Sequence, residues 1–277
     1  MVSVGMSLKP TQVASNWRRL TWLSWVRMVV ATFLLPPLLA LILANVFHLT
    51  RAELTGIFLV GATPGAPLLT RNLARKGFDM HLAASYQVWA ALMVPVMIPL
   101  VVAAGAKLYN RDVWISPVLL LSQIASKQLL PFAVGMVIAW LAPKFSQKYQ
   151  PTLNVLGNFL LTLLIVLVLF KIGSALKEIT PMLPIVVLLL VFGSMAAVWV
   201  MRLSDPLLRQ TFVVCNANRH VGLALLLSGQ YLHSEKALPA IACYAMAALL
   251  VMFAYARWYR SRGTPSVPLH QEADCLR

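Results

Sequence analysis

The sequence has few charged residues and very few acidic ones. Only 11% of its 277 residues are Asp, Glu, Lys or Arg, whereas 60% are hydrophobic and the mean hydropathy is +0.79. A soluble domain has about 25% charged residues. The composition therefore excludes a soluble globular domain and indicates an integral membrane protein. The shortage of Asp and Glu also leaves a net charge of +15.

Cysteine is scarce as well. The three cysteines, Cys215, Cys243 and Cys275, have neither the spacing of a zinc site nor that of a disulfide framework. Residues 1–12 lack a basic segment followed by an apolar core, so they do not form a signal peptide. HExxH, GxSxG and paired aspartates within apolar runs are also missing from the sequence, which argues against an intramembrane enzyme.

Long apolar runs are abundant. Those long enough for the ~20 residues that cross a bilayer predict eight membrane spans, at residues 24–47, 54–74, 81–105, 113–142, 151–174, 180–201, 206–229 and 233–257. Most of the 23 lysines and arginines fall on one side of these spans. The positive-inside rule then explains the net charge without a nucleic-acid partner and places both termini in the cytoplasm, in the inner (plasma) membrane. We expect one transmembrane domain over 1–257 and a polar, disordered cytoplasmic tail over 258–277.

The seventh span is interrupted by polar residues. It reads DPLLRQTFVVCNANRHVGLALLLS, so Asn216, Asn218, Arg219 and His220 stand in the middle of a hydrophobic run. A charge at the centre of a membrane helix costs roughly 3 kcal/mol on insertion scales. That cost is tolerable only where the polar stretch faces protein or a water-filled cavity.

The second span is interrupted too, by glycines and prolines. It reads LTGIFLVGATPGAPLLTRNLARKG, with Gly61, Pro64, Gly65 and Pro67 clustered at its middle. Interrupted spans at corresponding places in two halves are typical of inverted-repeat transporters, and the breaks indicate the binding site. The alternative is a pair of kinked helices with packing glycines and no ligand, because Gly and Pro are ordinary in membrane helices.

The residues around both breaks resemble motifs of the bile acid:sodium symporter family. The stretches GIFLVGATPGAPLLTRNLARKGFDMHLA and CNANRHVGLALLL carry the resemblance, together with the opening VGMSLKPTQ. It implies an all-α polytopic fold of ten helices in two inverted repeats, in which two discontinuous helices cross. The eight spans fit helices three to ten, so Met1 to about Gln12 would be the end of helix two. We therefore expect a chain that is shortened at its N-terminus, either because its start site is misassigned or because the protein works with a reduced panel domain.

The same resemblance implies a core domain, a panel domain and a function. The core would comprise helices at about 24–105 and 180–257, and the panel those at about 113–174. The function would be secondary active transport of a small organic anion by alternating access. The candidate substrate-binding residues surround the two breaks: Thr63, Pro64, Gly65, Thr70, Asn216, Asn218, Arg219 and His220.

Sodium coupling is what the family pattern implies, but the residues of this chain depart from that pattern. The family's Ser-Asn pair falls on Leu69 and Thr70, and its Glu and Gln fall on Cys215 and Arg219. The sodium ligands that remain as candidates are Gln87, Thr70 and Asn218. A sodium ion about 4 Å from Arg219 would be repelled by about 4 kcal/mol at an effective dielectric constant near 20.

We therefore hypothesise that Arg219 stands in for the sodium ion, holds the crossing together and presents positive charge to the anion. The alternative is a purely structural Arg219 that bonds to the carbonyls of the broken helices. His220 is either a proton carrier or a packing residue. The alternative functions are a sodium-independent uniporter or anion exchanger, and a non-transporting sensor. We expect the anion and the lipid bilayer as partners, and no cofactor apart from sodium as a coupling ion.

Overall fold

The computed structural model describes residues 2–6, 21–65, 80–108, 116–126, 130–172, 179–203, 206–230 and 235–261. These residues are almost entirely helical. They contain no β-strand, and the one β-type contact among them is an isolated antiparallel bridge between Gly65 and Arg219. The all-α fold class predicted from the sequence is confirmed. The candidate Thr70 lies outside the described residues.

In chain order the helices are α1 (Val2–Gly5), α2 (Trp22–Val46), α3 (Arg51–Ala62), α4 (Met80–Leu108), α5 (Pro117–Ile124), α6 (Leu130–Leu141), α7 (Pro143–Ile172), α8 (Leu183–Ala196), α9 (Pro206–Ala217), α10 (Val221–Gln230) and α11 (Leu238–Ser261). A π-helical turn, Val30–Leu34, lies inside α2, and α8 continues as a 3₁₀ helix, Ala197–Met201.

Four helical segments in the described part of the chain are long and apolar enough to cross a membrane: Trp22–Val46, Ser85–Leu108, Leu183–Met201 and Leu238–Tyr259. They coincide with the first, third, sixth and eighth predicted spans. Together they identify a multi-pass membrane protein, while the full count of eight spans stays a prediction.

The outer faces of these segments carry apolar side chains at helical spacing. On α2 they recur every fourth residue and are each about half exposed: Leu34, Leu38, Ile42 and Val46. On α4 the same spacing exposes Leu92, Val96 and Leu100. Large apolar side chains that are exposed in a continuous stripe need an apolar solvent. We take these stripes to be the lipid-facing surfaces.

The seventh predicted span is interrupted as expected, and the described part of the second span ends in extended backbone. Helix α3 ends at Ala62, and Thr63 is extended, with φ −80° and ψ 143°. The remainder of that span lies outside the described residues. In the seventh predicted span, α9 ends at Ala217 and α10 begins at Val221. The fourth predicted span contains the two described helices α5 and α6, with residues 127–129 between them outside the described ranges.

Two helices extend beyond the apolar spans predicted from the sequence. Helix α7 begins at Pro143, whereas the predicted span begins at about residue 151, so its first two turns include Lys144 and Lys148. Helix α11 extends to Ser261, so the first residues of the predicted tail are helical. Hydropathy locates the apolar part of a helix. Polar turns that project from the membrane continue the backbone hydrogen bonding of the helix but give no hydropathy signal. Pro143 suits a first helical position, where no intrahelical N–H bond is lost.

The buried apolar side chains form one cluster drawn from residues 28–102 and 183–259. Helix α3 packs within it against α2, α8, α10 and α11. Its contact with α2 is close, because a Cβ at Gly61 would lie 3.0 Å from both Pro36 O and Pro37 Cα. The backbones of α2 and α3 therefore meet at this proline pair. The division into core and panel domains stays a prediction.

The start of α3 is tied to the chain just before α8 through one buried carboxylate. Glu53 accepts hydrogen bonds from the main-chain N and the hydroxyl of both Thr50 and Thr180, at 2.7–2.9 Å. Thr50 and Glu53 form a capping box, in which each side chain accepts from the other residue's N–H. Burial alone raises the pKa of Glu53, but the Thr180 and Thr50 hydrogen bonds outweigh it, so the pKa is lowered.

Candidate functional site

The two broken helices meet backbone to backbone at their interruptions. Gly65 and Arg219 form an antiparallel bridge, and His220 N donates to Pro64 O at 2.8 Å. A Cβ at Gly65 would lie 2.3 Å from Cys215 O. Glycine is therefore required there for close approach, and the crossing is formed by extended backbone rather than by helix surfaces.

Arg219 lies at the centre of this crossing and is only 2% exposed. Its Nη1 donates to two main-chain oxygens, Thr32 O at 2.7 Å and Thr63 O at 2.9 Å. Thr63 belongs to the first break and Thr32 to the π-helical turn of α2. A single nitrogen thus joins the seventh predicted span to the first and the second.

The prolines of α2 explain why Thr32 O can accept this bond. In an α-helix the carbonyl of Thr32 would accept from the N–H of residue 36, and in a π-helix from that of residue 37. Both positions are proline, which has no N–H. The oxygen therefore lacks a helical donor, and the guanidinium of Arg219 supplies one from outside the helix.

Asn216 satisfies a second main-chain oxygen in the same turn. Its Nδ2 donates to Ala31 O at 3.1 Å and to Ser194 O at 2.6 Å. The N–H of Leu35, the usual partner of Ala31 O, bonds instead to Val30 O. Asn216 therefore joins α2, α8 and α9 inside the bundle, and its amide nitrogen acts as a structural donor rather than as a ligand contact.

Other predicted site residues donate hydrogen bonds to carbonyls of the helices that they end. Asn218 Nδ2 donates to Val214 O at 3.0 Å, and the Thr63 hydroxyl donates to Val60 O at 2.8 Å. Gln87 is buried on α4. The polar side chains of the breaks are thus brought together, but several of them stabilise helix ends.

His220 caps the second half of the broken seventh span. Its Nδ1 accepts from the N–H of Leu223 at 3.1 Å, in the first turn of α10. A ring nitrogen that accepts a hydrogen bond carries no proton, so the cap requires the neutral imidazole. Protonation of this nitrogen would break the hydrogen bond that caps α10.

Two buried tyrosines complete the surroundings of Arg219, and the motifs in the sequence did not point to either of them. The Tyr86 hydroxyl lies 3.2 Å from the Thr32 hydroxyl, and Tyr244 donates to Ala217 O at 2.8 Å. Both hydroxyls interact electrostatically with the guanidinium, and the Tyr244 hydroxyl is also close enough to accept a hydrogen bond from it. For Tyr244 the missed signal is its position near the middle of the eighth predicted span, because tyrosines in membrane helices usually lie at the interfaces.

One edge of the Arg219 guanidinium is open in the sense that its donors lack well-formed hydrogen bonds. Within the described part of the chain, Nε and Nη2 are buried and neither makes a hydrogen bond of standard length and angle, although the Tyr244 hydroxyl lies near the guanidinium. The carboxylates that belong to the described residues, Glu53 and Glu235, both stand at the beginning of a helix or 3₁₀ turn. Along α3, Glu53 is about 15 Å from the break, at 1.5 Å per residue. The Nε–Nη2 edge is the fork that binds a carboxylate through two parallel hydrogen bonds.

The sequence model of the Sodium Bile acid symporter family matches residues 1–179. The match includes the first interruption, at Thr63–Gly65, and ends before the second, so Arg219 lies beyond it. No curated protein matches the chain. Among the described residues, no group of three His, Cys, Asp or Glu side chains is placed to hold a metal ion.

Proposed function

Because the chain belongs to the Sodium Bile acid symporter family, we propose that this transporter carries a small organic anion across the inner membrane by alternating access. Both chain termini would lie in the cytoplasm. The observation that carries the anion assignment is the open Nε–Nη2 edge of Arg219 at the crossing of the two broken helices.

The chemistry of that edge selects the class of substrate. A guanidinium is always charged and presents its donors in a rigid fork that matches a carboxylate. Because Nη1 is fixed by Thr32 O and Thr63 O, the orientation of the fork is fixed as well. The N-terminus of α10 begins two residues later and adds partial positive charge. An organic carboxylate would satisfy donors that have no well-formed hydrogen bond among the described residues, and an unmade hydrogen bond in the interior is expensive.

The burial of Arg219 fits a carrier rather than a surface receptor. At 2% exposure the guanidinium is out of reach of a dissolved anion. An anion would reach it only when the helices around the crossing separate toward one side of the membrane. Alternating access requires such a site, which opens to one side at a time.

A binding experiment on the purified protein tests this proposal. The melting temperature is measured in potassium acetate, succinate, benzoate and cholate, each against potassium chloride at matched ionic strength. At least one carboxylate is expected to raise it, because a ligand at a hundredfold excess over its Kd stabilises the folded state by about 2.7 kcal/mol. If no carboxylate raises the melting temperature of the unaltered protein, the anion assignment is wrong.

Variants test whether the rise in melting temperature depends on Arg219. Arg219→Gln should lose the response, and Arg219→Lys should keep a weaker one, because an ammonium group keeps the charge but lacks the fork. The matched control is Arg209→Gln on the same broken helix, where the guanidinium stacks over the Trp199 ring at 4.7 Å. The control should respond like the unaltered protein. An equal response in Arg219→Gln would place the anion elsewhere.

A further inference from the structure

The name of the family implies a sodium ion, and the described residues around the crossing do not fit one. Sodium is a hard cation that requires several oxygen ligands, by extension from calcium and magnesium. The Thr63 hydroxyl donates to Val60 O, and the Asn218 amide nitrogen donates to Val214 O. No described carboxylate lies at the breaks to offset a second positive charge beside Arg219. Asn216 Oδ1 is buried without a hydrogen-bond partner among the described residues, but no described carboxylate stands with it, so the set of several oxygens that a sodium site requires is incomplete at the crossing.

The same place nevertheless has the main-chain oxygens that a cation would use. Thr32 O is freed by Pro36 and Pro37, and Thr63 O lies in the extended break after α3. These two oxygens come from different helices, yet they converge within 2.9 Å of one nitrogen atom, Arg219 Nη1. Two carbonyl dipoles that point at one positive charge resemble the oxygen ligands of a bound cation.

From this geometry we infer that the Arg219 guanidinium is a covalently tethered cation that takes the place of the coupling sodium. The inference rests on the proposed transport function. Nη1 binds the converging oxygens and holds the two breaks together, as an ion would. The Nε–Nη2 edge remains open toward the anion. One side chain thereby combines the structural role of a coupling ion with the binding of the substrate.

A tethered cation changes what the carrier can do. It cannot dissociate on either side of the membrane, so a sodium gradient has no means of driving the cycle. A bound carboxylate neutralises the guanidinium, whereas in the empty site no described carboxylate balances the buried charge. The loaded carrier should therefore reorient more readily than the empty one. This asymmetry favours exchange of one anion for another over net uptake.

The test compares melting temperatures in sodium chloride and potassium chloride at matched ionic strength, with no organic anion present. The unaltered protein should melt at the same temperature in both salts. Arg219→Gln frees both main-chain oxygens and adds an amide oxygen, so it should melt several degrees lower in potassium and recover part of that loss in sodium. Arg209→Gln should show no difference between the salts.

Two results would overturn the inference: a sodium-specific rise in the unaltered protein, or an Arg219→Gln variant that responds equally to both ions. Should Arg219→Gln fail to fold, Arg219→Lys replaces it. A tethered ammonium should fold and remain indifferent to sodium, and a sodium-specific rise in that variant contradicts the inference. Because no carboxylate is present, these outcomes are independent of the carboxylate titration that tests the proposed function.

Discussion

The Nη1 atom of Arg219 lies 2.7 Å from the main-chain oxygen of Thr32, a residue 187 positions earlier in the chain. This contact depends on a proline pair that deletes both helical donors available to that oxygen. The crossing of the broken helices is therefore anchored in a third, unbroken helix. Substitutions at this crossing should affect anion binding and stability in ways that differ from changes at the carboxylate that begins α3.

Substitution of Pro36 should weaken the hold on Arg219. Pro36→Ala restores an N–H that competes for Thr32 O, so the guanidinium loses an exclusive partner. A hydrogen bond to a charged group is worth about 1.5–3 kcal/mol, so we expect the Kd of the responding carboxylate to rise about tenfold or more. Titration of the melting temperature measures that Kd. Pro99→Ala, in another helical proline, should leave it unchanged, and an unaltered Kd in Pro36→Ala would refute the proposed role of the proline.

Substitution of Gly65 should force the two breaks apart. A Cβ there would meet Cys215 O at 2.3 Å, and backbone cannot move aside as a flexible side chain can. Overpacking of this kind costs about 1–3 kcal/mol, so Gly65→Ala should melt several degrees lower. The control is Gly157→Ala on α7, where a Cβ has no neighbour within 4 Å. That change should be neutral or stabilising by about 0.5–1 kcal/mol. Equal melting temperatures for the two variants would contradict the backbone crossing.

The carboxylate of Glu53 should make stability fall in acid. Its pKa in the folded protein lies below the ordinary value of 4.5, because hydrogen bonds from Thr180 and Thr50 outweigh the effect of burial. Its contribution is therefore fully present above the unfolded pKa and is lost as the pH falls below 4.5 through the folded pKa. Glu53→Gln should lower the melting temperature at pH 7 and reduce its acid dependence. Thr180→Ser, which keeps the hydroxyl, should retain the unaltered profile. If the melting temperature of Glu53→Gln falls in acid as steeply as that of the unaltered protein, other groups cause the acid dependence.

Substitutions of His220 separate a cap from a proton carrier. Asparagine can accept from the Leu223 N–H as Nδ1 does, whereas alanine cannot. Loss of an N-cap costs about 1 kcal/mol, so His220→Ala should melt lower than His220→Asn. Both variants should respond to the carboxylate with the pH dependence of the unaltered protein. A pH dependence of transport that disappears in His220→Asn would support the carrier role instead.

The interruptions could be predicted from the sequence because prolines, glycines and an arginine stand out against apolar neighbours. The same sequence did not predict the partners of Arg219. Pro36 and Pro37 show that two carbonyls of α2 lose their helical donors, but which side chain reaches them depends on how α2 packs against α3. The Gly61 contact with this proline pair is a tertiary relation that local composition does not record.

The side-chain roles were harder to predict than the positions of the breaks. Asn218 and Thr63 were chosen as ligands for their polar groups, yet both donate to carbonyls in the helix that they end. Such local hydrogen bonds are a normal use of Asn and Thr at helix ends. In contrast, the charge of Arg219 at mid-span was informative, because its cost in lipid requires a partner within the protein.

The most direct measurement is uptake of the responding carboxylate, isotopically labelled, into proteoliposomes that have potassium salts on both sides. Some vesicles are preloaded with the unlabelled anion, and sodium replaces potassium outside in a parallel series. We expect uptake in potassium that is accelerated by preloading, unchanged by sodium and abolished in Arg219→Gln but not in Arg209→Gln. Uptake that requires an inward sodium gradient, or that persists in Arg219→Gln, would contradict the account of Arg219 as both anion site and tethered cation.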